Sequence, residues 1–198
     1  MKDDPEGSGF MTITTERLRL REWTDEDRSP FADMSADPDV MEFMMPLPRD
    51  KASGPWVDDQ IAHMQEHGFC FWAVERKEDA AFIGTVGLRR VGYDAFFTPA
   101  VELGWRIARP FWGQGYAPEA AKACLQFGFE TLNLPEILAI TVPANLKSRR
   151  VMAKLGMTHN PNENFDHPYV PEGHHLRGHV LYRLRREQWD NEAHCSQS

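Results

Sequence analysis

Apolar and polar residues change their rhythm along this chain, and the changes divide it into elements. In residues 17–21, leucines at 18 and 20 alternate with arginines, the two-residue period of a strand covered on one face. Thr24-Asp25-Glu26-Asp27 has the form of a helix start, a capping hydroxyl followed by acids in the first turn. Asp37-Pro38 opens a second, short helix, the proline- and glycine-bearing stretch 44–55 reads as a loop, and 57–67 as a helix. Residues 69–74, 82–88 and 100–108 read as strands, with Gly84 and Gly87 making the middle one irregular. Helical spacing returns over 118–132, where Ala121, Cys124, Leu125, Gly128 and Leu132 recur on one face. Residues 137–142 are continuously apolar, as in a buried strand. Residues 148–155 are helical with Gly156 as the cap, and 178–184 alternate as a last strand.

Strands with helices inserted between them predict an α+β class, a mixed α/β sheet in one domain over 12–186. A flexible leader (1–11) precedes it and a polar tail (187–198) follows. The length, 198 residues, suits one domain with a sizeable core. A net charge of −8 argues against a nucleic-acid partner and is compatible with a cationic amine. No run approaches the roughly 18 apolar residues that a membrane span needs, and the acidic start MKDDPEGSG does not resemble a signal peptide. Cys70, Cys124 and Cys195 are odd in number and widely spaced, which predicts no disulfide framework and a cytoplasmic setting.

Residues 101–120, VELGWRIARPFWGQGYAPEA, concentrate the chemistry. A strand-like segment runs into a turn with Gly113 and Gly115 and then into a helix whose first turn holds Ala117 and Pro118. A helix start carries unpaired N–H groups and partial positive charge, and glycines before it let those groups curl around a phosphate. The pattern predicts an anion cradle, with a pyrophosphate as its ligand. It is neither a Walker loop, lacking Gly-Lys-Ser/Thr, nor a dinucleotide fingerprint, lacking a third glycine.

Three segments in order resemble the GNAT N-acetyltransferase superfamily. WGQGYA, Trp112 to Ala117, resembles its R/Q-x-x-G-x-G/A acyl-CoA loop. Asn145-Leu-Lys-Ser148, continuing to Lys154-Leu-Gly-Met157, resembles its N-x-x-S…K-L-G-F/M segment, and Thr15-Glu-Arg-Leu-Arg-Leu-Arg21 the first strand of its RimJ/RimL branch. The resemblance covers 12–185. It implies a mixed, mostly antiparallel sheet of about six or seven strands flanked by helices, whose fourth and fifth strands (here 100–108 and 137–142) splay to admit the pantetheine arm. It implies acetyl-CoA as cosubstrate, no metal, and direct transfer to a primary amine on a protein N-terminus, amino acid, polyamine or antibiotic. The chain would be a monomer or homodimer.

Carried onto this sequence, the cofactor residues are Trp105, Arg106, Ile107, Arg109, Trp112, Gly113, Gln114, Gly115, Tyr116, Ala117, Asn145, Ser148, Arg149 and Arg150. Lys122 and Lys147 are further cations near the loop. Trp112 stands where many relatives carry Gln or Arg, and Met152 where many carry an acidic tyrosine. Glu102 is the candidate base and Ser148 the candidate acid. Each has a plainer reading: an ordinary strand residue for Glu102, a helix cap for Ser148. Gly104 marks either close packing or a bulge that turns N–H groups at 105–107 towards the thioester. The aromatics Trp23, Phe43, Trp72 and Trp105 read first as core, with Trp72 and Phe43 also candidates to line the acceptor site. His159, His167, His174, His175 and His179 read as loop and surface residues, with His175 and His179 on one strand face; they lack diagnostic metal spacing, and the alternative is that one of them shapes the acceptor pocket or acts as a base. Two rivals remain: a non-enzymatic acyl-CoA-binding domain and a nucleotide-phosphate binder.

Overall fold

A computed structural model describes residues 12–46 and 54–195. The expected leader and most of the 44–55 loop lie outside the described residues. In chain order the elements are β1 (Ile13–Thr14), β2 (Leu18–Arg21), α1 (Arg28–Ala36), α2 (Pro38–Met41), α3 (Pro55–His67), β3 (Phe71–Arg76), β4 (Ala81–Arg90) and β5 (Val101–Ile107). They continue with α4 (Tyr116–Gln126), β6 (Glu136–Thr141), α5 (Leu146–Lys154), β7 (Thr158–His159), β8 (Phe165–Asp166), β9 (Gly178–Arg185) and α6 (Arg186–Cys195). The tail that reads as polar is thus largely helical: Trp189 stacks on Phe129 with ring centroids 5.5 Å apart.

The alternation of β2 works as its pattern predicts. Leu18 and Leu20 are fully buried, while Arg19 and Arg21 reach across to Glu75 on β3 at 2.9 Å each. Arg21 also grips Asp27, which is itself bonded by the Thr24 N–H, so strand and helix start are tied together. Burial alone would raise the Asp27 carboxyl, yet Arg21 and Thr24 hold it below its ordinary value.

The described strands form one nine-stranded sheet, β1-β2-β3-β4-β5-β6-β9-β7, with β8 also on β9. Three of the nine are two-residue pieces, leaving six longer strands. Every pairing is antiparallel except β5 with β6, which are parallel and share a single register pair, Glu102 with Leu138. Beyond that pair the two strands part, and the gap is the splay expected of 100–108 and 137–142.

Helix α4 closes one face of the sheet. Ala120, Ala121, Cys124 and Leu125 are fully buried, and burying a leucine contributes about 1.5–3 kcal/mol. The helix continues as a π-turn over Phe127–Thr131. There Gly128 lets the backbone sit against the sheet: a Cβ would lie 2.6 Å from Ile137 Cδ1. Trp72 is fully buried on this side, edge-on to Phe127, so it is core and not acceptor wall. Helices α1 and α3 cover the other face, where Phe31 and Trp56 stack 4.4 Å apart.

The irregularity does not fall at Gly104. Pairing of β4 with β5 runs without a shift from Arg90–Val101 to Gly84–Ile107, so β5 has no bulge there. Gly104 instead makes room for Phe71, whose ring carbons would come within 2.9 Å of an added Cβ. The register shift lies between Val74 and Glu75 on β3, opposite Gly84 (φ 149°).

Candidate active site

The glycine turn and the start of α4 form one wall of the gap. Gly113 and Gly115 have φ of 75° and 82°, the left-handed region that glycine enters without steric cost, and all of 113–115 is exposed. Arg17, in the bend between β1 and β2, braces the turn: its Nη1 donates to the Gln114 carbonyl (3.0 Å), its Nε donates to Glu119 (2.7 Å), and its guanidinium lies 4.5 Å over the Tyr116 ring. No spacing rule links residues 17 and 114, so only the folded chain reveals this brace. Glu119 turns from the turn towards Thr15 and Arg17, leaving the helix start free of side-chain acid.

The exposed edge of β5 supplies the second wall. Val91 N–H donates to Ala100 O and Ala108 N–H to Ile83 O, which fixes the hydrogen-bonding parity of the unshifted β4–β5 pair. Residues 102, 104 and 106 therefore bond β4, whereas Trp105 and Ile107 turn their N–H and C=O groups into the splay. The Ile107 carbonyl is taken by the Trp112 indole N–H at 2.6 Å. Trp112 thereby anchors the loop to the strand end, and Lys147 Nζ sits 4.2 Å over its ring.

Helix α5 supplies the third. Asn145 caps it, accepting from Ser148 N–H at 3.1 Å, and its amide donates to Thr141 Oγ1 at 3.0 Å. The cap is Asn145, and Ser148, whose hydroxyl has no hydrogen bond among the described residues, lines both cavities. Met152 is buried on the inward face.

These walls enclose two cavities. The first, of about 500 Å³, is lined by Trp105, Arg106, Ile107, Trp112, Gly113, Gly115, Tyr116, Ala117, Asn145, Ser148 and Arg150, with Lys147 and Lys154 adding positive charge. Arg109, Gln114, Arg149 and Lys122 do not line it. Arg109 pairs with Asp39, Gln114 donates to the Pro110 carbonyl, and Arg149 turns to Tyr182 and the Pro143 carbonyl. The second cavity, about 530 Å³, shares Phe43, Met44, Trp105, Arg106, Asn145 and Ser148 with the first. It continues past Glu102 and Gly104 to Trp56, Phe71, His167, Tyr169 and His179.

Glu102 opens into this second cavity and accepts no hydrogen bond among the described residues. Its cross-strand neighbour Arg89 is held by Asp59 (2.8 Å) and Gln60 (3.1 Å). Burial raises the Glu102 carboxyl to about 7, with Arg89 pulling weakly the other way. The rings of His167 and His179 are 5.0 Å apart; burial lowers both, His167 to about 4, so each is neutral at pH 7. Tyr93 packs on His167 at 4.7 Å with its hydroxyl buried and unpartnered, and burial, with the Glu102 charge next, raises its phenol.

The other histidines lie elsewhere. His175 stacks on His174 in a turn before β9, so it does not share a strand face with His179. His159 stacks on Tyr182. Among the described residues no cluster of three or more His, Cys, Asp or Glu is placed to hold a metal, and no helix is long and apolar enough to cross a membrane.

Comparison with known proteins agrees with this geometry. Residues 17–158 match the model of the acetyltransferase (GNAT) domain. The chain is 31% identical over 185 residues to YnaD of Bacillus subtilis (strain 168), an uncharacterized N-acetyltransferase, covering 91% of this chain and all of that one. It is 33% identical over 188 residues to the FsC-acetyl coenzyme A-N(2)-transacetylase of Aspergillus fumigatus, covering 90% and 77% respectively. Among solved structures, a GNAT-family acetyltransferase from Bacillus anthracis superposes with a TM-score of 0.73 at 25% identity, over 89% of this chain and 99% of the other. With the matched domain, the splayed strands and the glycine turn all in register, the chain belongs to the GNAT acetyltransferase family.

Proposed function

We propose that this protein transfers an acetyl group from acetyl-CoA directly to a primary amine, in a complex that holds both reactants at once. The observation that carries this reading is the pair of cavities meeting at Ser148, one suited to an acyl-CoA and the other to an acceptor. The donor side fits the cosubstrate by its own chemistry. The exposed glycine turn 113–115 leading into the start of α4 and the cations Lys147, Arg150 and Lys154 suit a pyrophosphate. The free edge at Trp105 and Ile107 can pair with an amide-bearing arm. The coenzyme named for the Aspergillus relative supports acetyl-CoA as the donor here. The 15–21 strand favours the RimJ/RimL-like branch, and two buried free thiols, Cys70 and Cys124, suit a cytoplasmic setting.

Glu102 takes the proton that an ammonium must lose before it attacks; with its carboxyl raised to about 7, it is half ionised near neutrality. The amine nitrogen then bonds to the thioester carbon. The Trp105 and Ile107 N–H groups face the gap where negative charge develops on the carbonyl oxygen. As the carbon–sulfur bond breaks, the Ser148 hydroxyl passes a proton to the thiolate and regains one from the nitrogen, which loses its second proton as it becomes an amide. Met152 offers no proton and serves as packing. Holding both reactants replaces a bimolecular encounter with an oriented one.

The test is a thermal shift with CoA and acetyl-CoA, followed by thiol release with pooled amines. A ligand at 100 times its dissociation constant adds about 2.7 kcal/mol. Stabilisation by acetyl-CoA with acetylated amine as product supports the reading. Binding without transfer to any amine supports a non-enzymatic acyl-CoA domain, and stabilisation by ATP in place of CoA a nucleotide binder.

A further inference from the structure

One full charge in the acceptor cavity has no answering carboxylate among the described residues. Arg106 lies on the same face of β5 as Glu102, opposite Thr85 on β4. Its guanidinium passes between α1 and α3, 5.4 Å over the Phe31 ring and 5.7 Å from that of Trp56. Its hydrogen bond among the described residues runs from Nη1 to Ser35 Oγ at 3.0 Å. The Nε–H is buried without a partner, and no carboxylate pairs with the group among the described residues. Among the other half-buried arginines, Arg21 holds Asp27 and Glu75, Arg89 holds Asp59 and Arg183 holds Glu136 and Glu163, while Arg149 and Arg186 donate to neutral oxygens and, unlike Arg106, leave no buried N–H without a partner among the described residues. Burial lowers the Arg106 guanidinium to about 10 with no charged neighbour involved, so it stays protonated at neutral pH.

A desolvated cation without a counter-ion is unfavourable unless a ligand supplies the anion. Arg106 lines both cavities, at their junction, and its fork of donors matches a planar carboxylate. The surrounding walls are apolar: Phe43, Met44, Trp56 and Phe71. A volume of about 530 Å³ is that of a small-molecule site. We infer that the acceptor is a zwitterionic small molecule with an apolar body, whose carboxylate pairs with Arg106 while its amine faces Glu102 and Ser148. This narrows the amine-acetyltransferase reading, on which it rests. The cavity thus selects against a polyamine, although the protein's net charge of −8 would attract one.

The experiment compares matched acceptors at equal free-amine concentration: phenylalanine, its methyl ester and phenethylamine; leucine, its methyl ester and isoamylamine; and spermidine. Wild-type enzyme should favour each free amino acid over its ester and its decarboxylated amine by roughly 10–100-fold in kcat/KM, the effect of one charge-assisted pair. Arg106→Gln should erase most of that preference, with phenethylamine losing far less than phenylalanine, and Arg106→Lys should restore part of it. Cooperative melting of the unliganded protein reports whether each variant is folded; should Arg106→Gln fail to fold, the wild-type preference decides. Equal use of acids and esters, a preference that survives in folded Arg106→Gln, or acetylation of spermidine alone would overturn the inference and leave amine acetylation standing. Failure to acetylate any amine would instead sink the broader reading, and this inference with it.

Discussion

The two cavities that meet at Ser148 are built in opposite ways. The donor side comes from a few continuous segments: residues 39–44, the end of β5, the turn that follows, the start of α4 and helix α5. A glycine turn, a helix start and a strand edge give it backbone groups to offer a ligand. The acceptor side gathers single side chains from many places, among them Phe43, Trp56, Phe71, Glu102, Arg106, His167, Tyr169 and His179. A ligand that is always the same can be held by peptide groups, which any compatible sequence provides. A ligand that must be told apart needs side chains, and those are placed by tertiary packing.

This contrast can be broken most severely at Glu102. Glu102→Gln should lower kcat roughly 10²–10⁴-fold, as loss of a general base does. In wild type the rate should rise with pH through about 7, and that limb should vanish in the variant. The same substitution should stabilise the fold. The Glu102 carboxyl is raised in the folded state, so its contribution is greatest below the unfolded value near 4.5 and declines as pH rises to about 7. Melting of the two proteins should therefore coincide near pH 4 and separate at pH 8, with Glu102→Gln higher. A rate limb unchanged in Glu102→Gln would remove it as the base.

The donor side breaks next, at Gly115. With φ of 82° it stands in a region costly to a β-branched residue, and a Cβ would meet Arg17 Nη2 at 3.5 Å. Gly115→Val should abolish the CoA-induced thermal shift, about 2.7 kcal/mol at 100 times the dissociation constant, while the variant still melts cooperatively. Wild-type CoA affinity in this variant would contradict the cradle. A smaller effect falls on Ser148→Ala, expected to reduce kcat roughly tenfold or more by withdrawing one hydrogen bond from the leaving thiolate. KM for acetyl-CoA should hardly move, and steady-state kinetics would show an unaffected kcat if the hydroxyl is idle. Smallest of all is Met152→Leu. Met152 is buried packing, a volume-conserving swap costs under about 1.5 kcal/mol, and activity should stay near wild type; a large loss of kcat would give the side chain a chemical role.

Legibility in the sequence follows the same divide. The alternation of Leu18 and Leu20, the apolar run of β6 and the helical spacing of α4 each mark an element, because each has one partner face. The glycine turn is readable since positive φ needs glycine wherever the chain goes. Three readings that local pattern leaves open share one cause. Gly104 fits a bulge as well as it fits space for Phe71, and only the neighbouring strand decides. Trp72 has the composition of a pocket wall but points to the α4 face. His175 and His179 have strand spacing, but β9 begins between them, at Gly178. The Arg17 brace and the unpaired Arg106 depend on contacts across the chain that no local pattern encodes.

The central claim, direct transfer between two simultaneously occupied cavities, is tested most directly by incubating the enzyme with acetyl-CoA alone and then adding an accepted amine, following thiol release and the mass of protein and product. Before the amine is added no acetylated protein and no rapid thiol release is expected, and afterwards one thiol is released for each amine acetylated. A burst of thiol with an acetyl group on Ser148 or a cysteine, passed on to the amine afterwards, would contradict direct transfer and establish a covalent relay in its place.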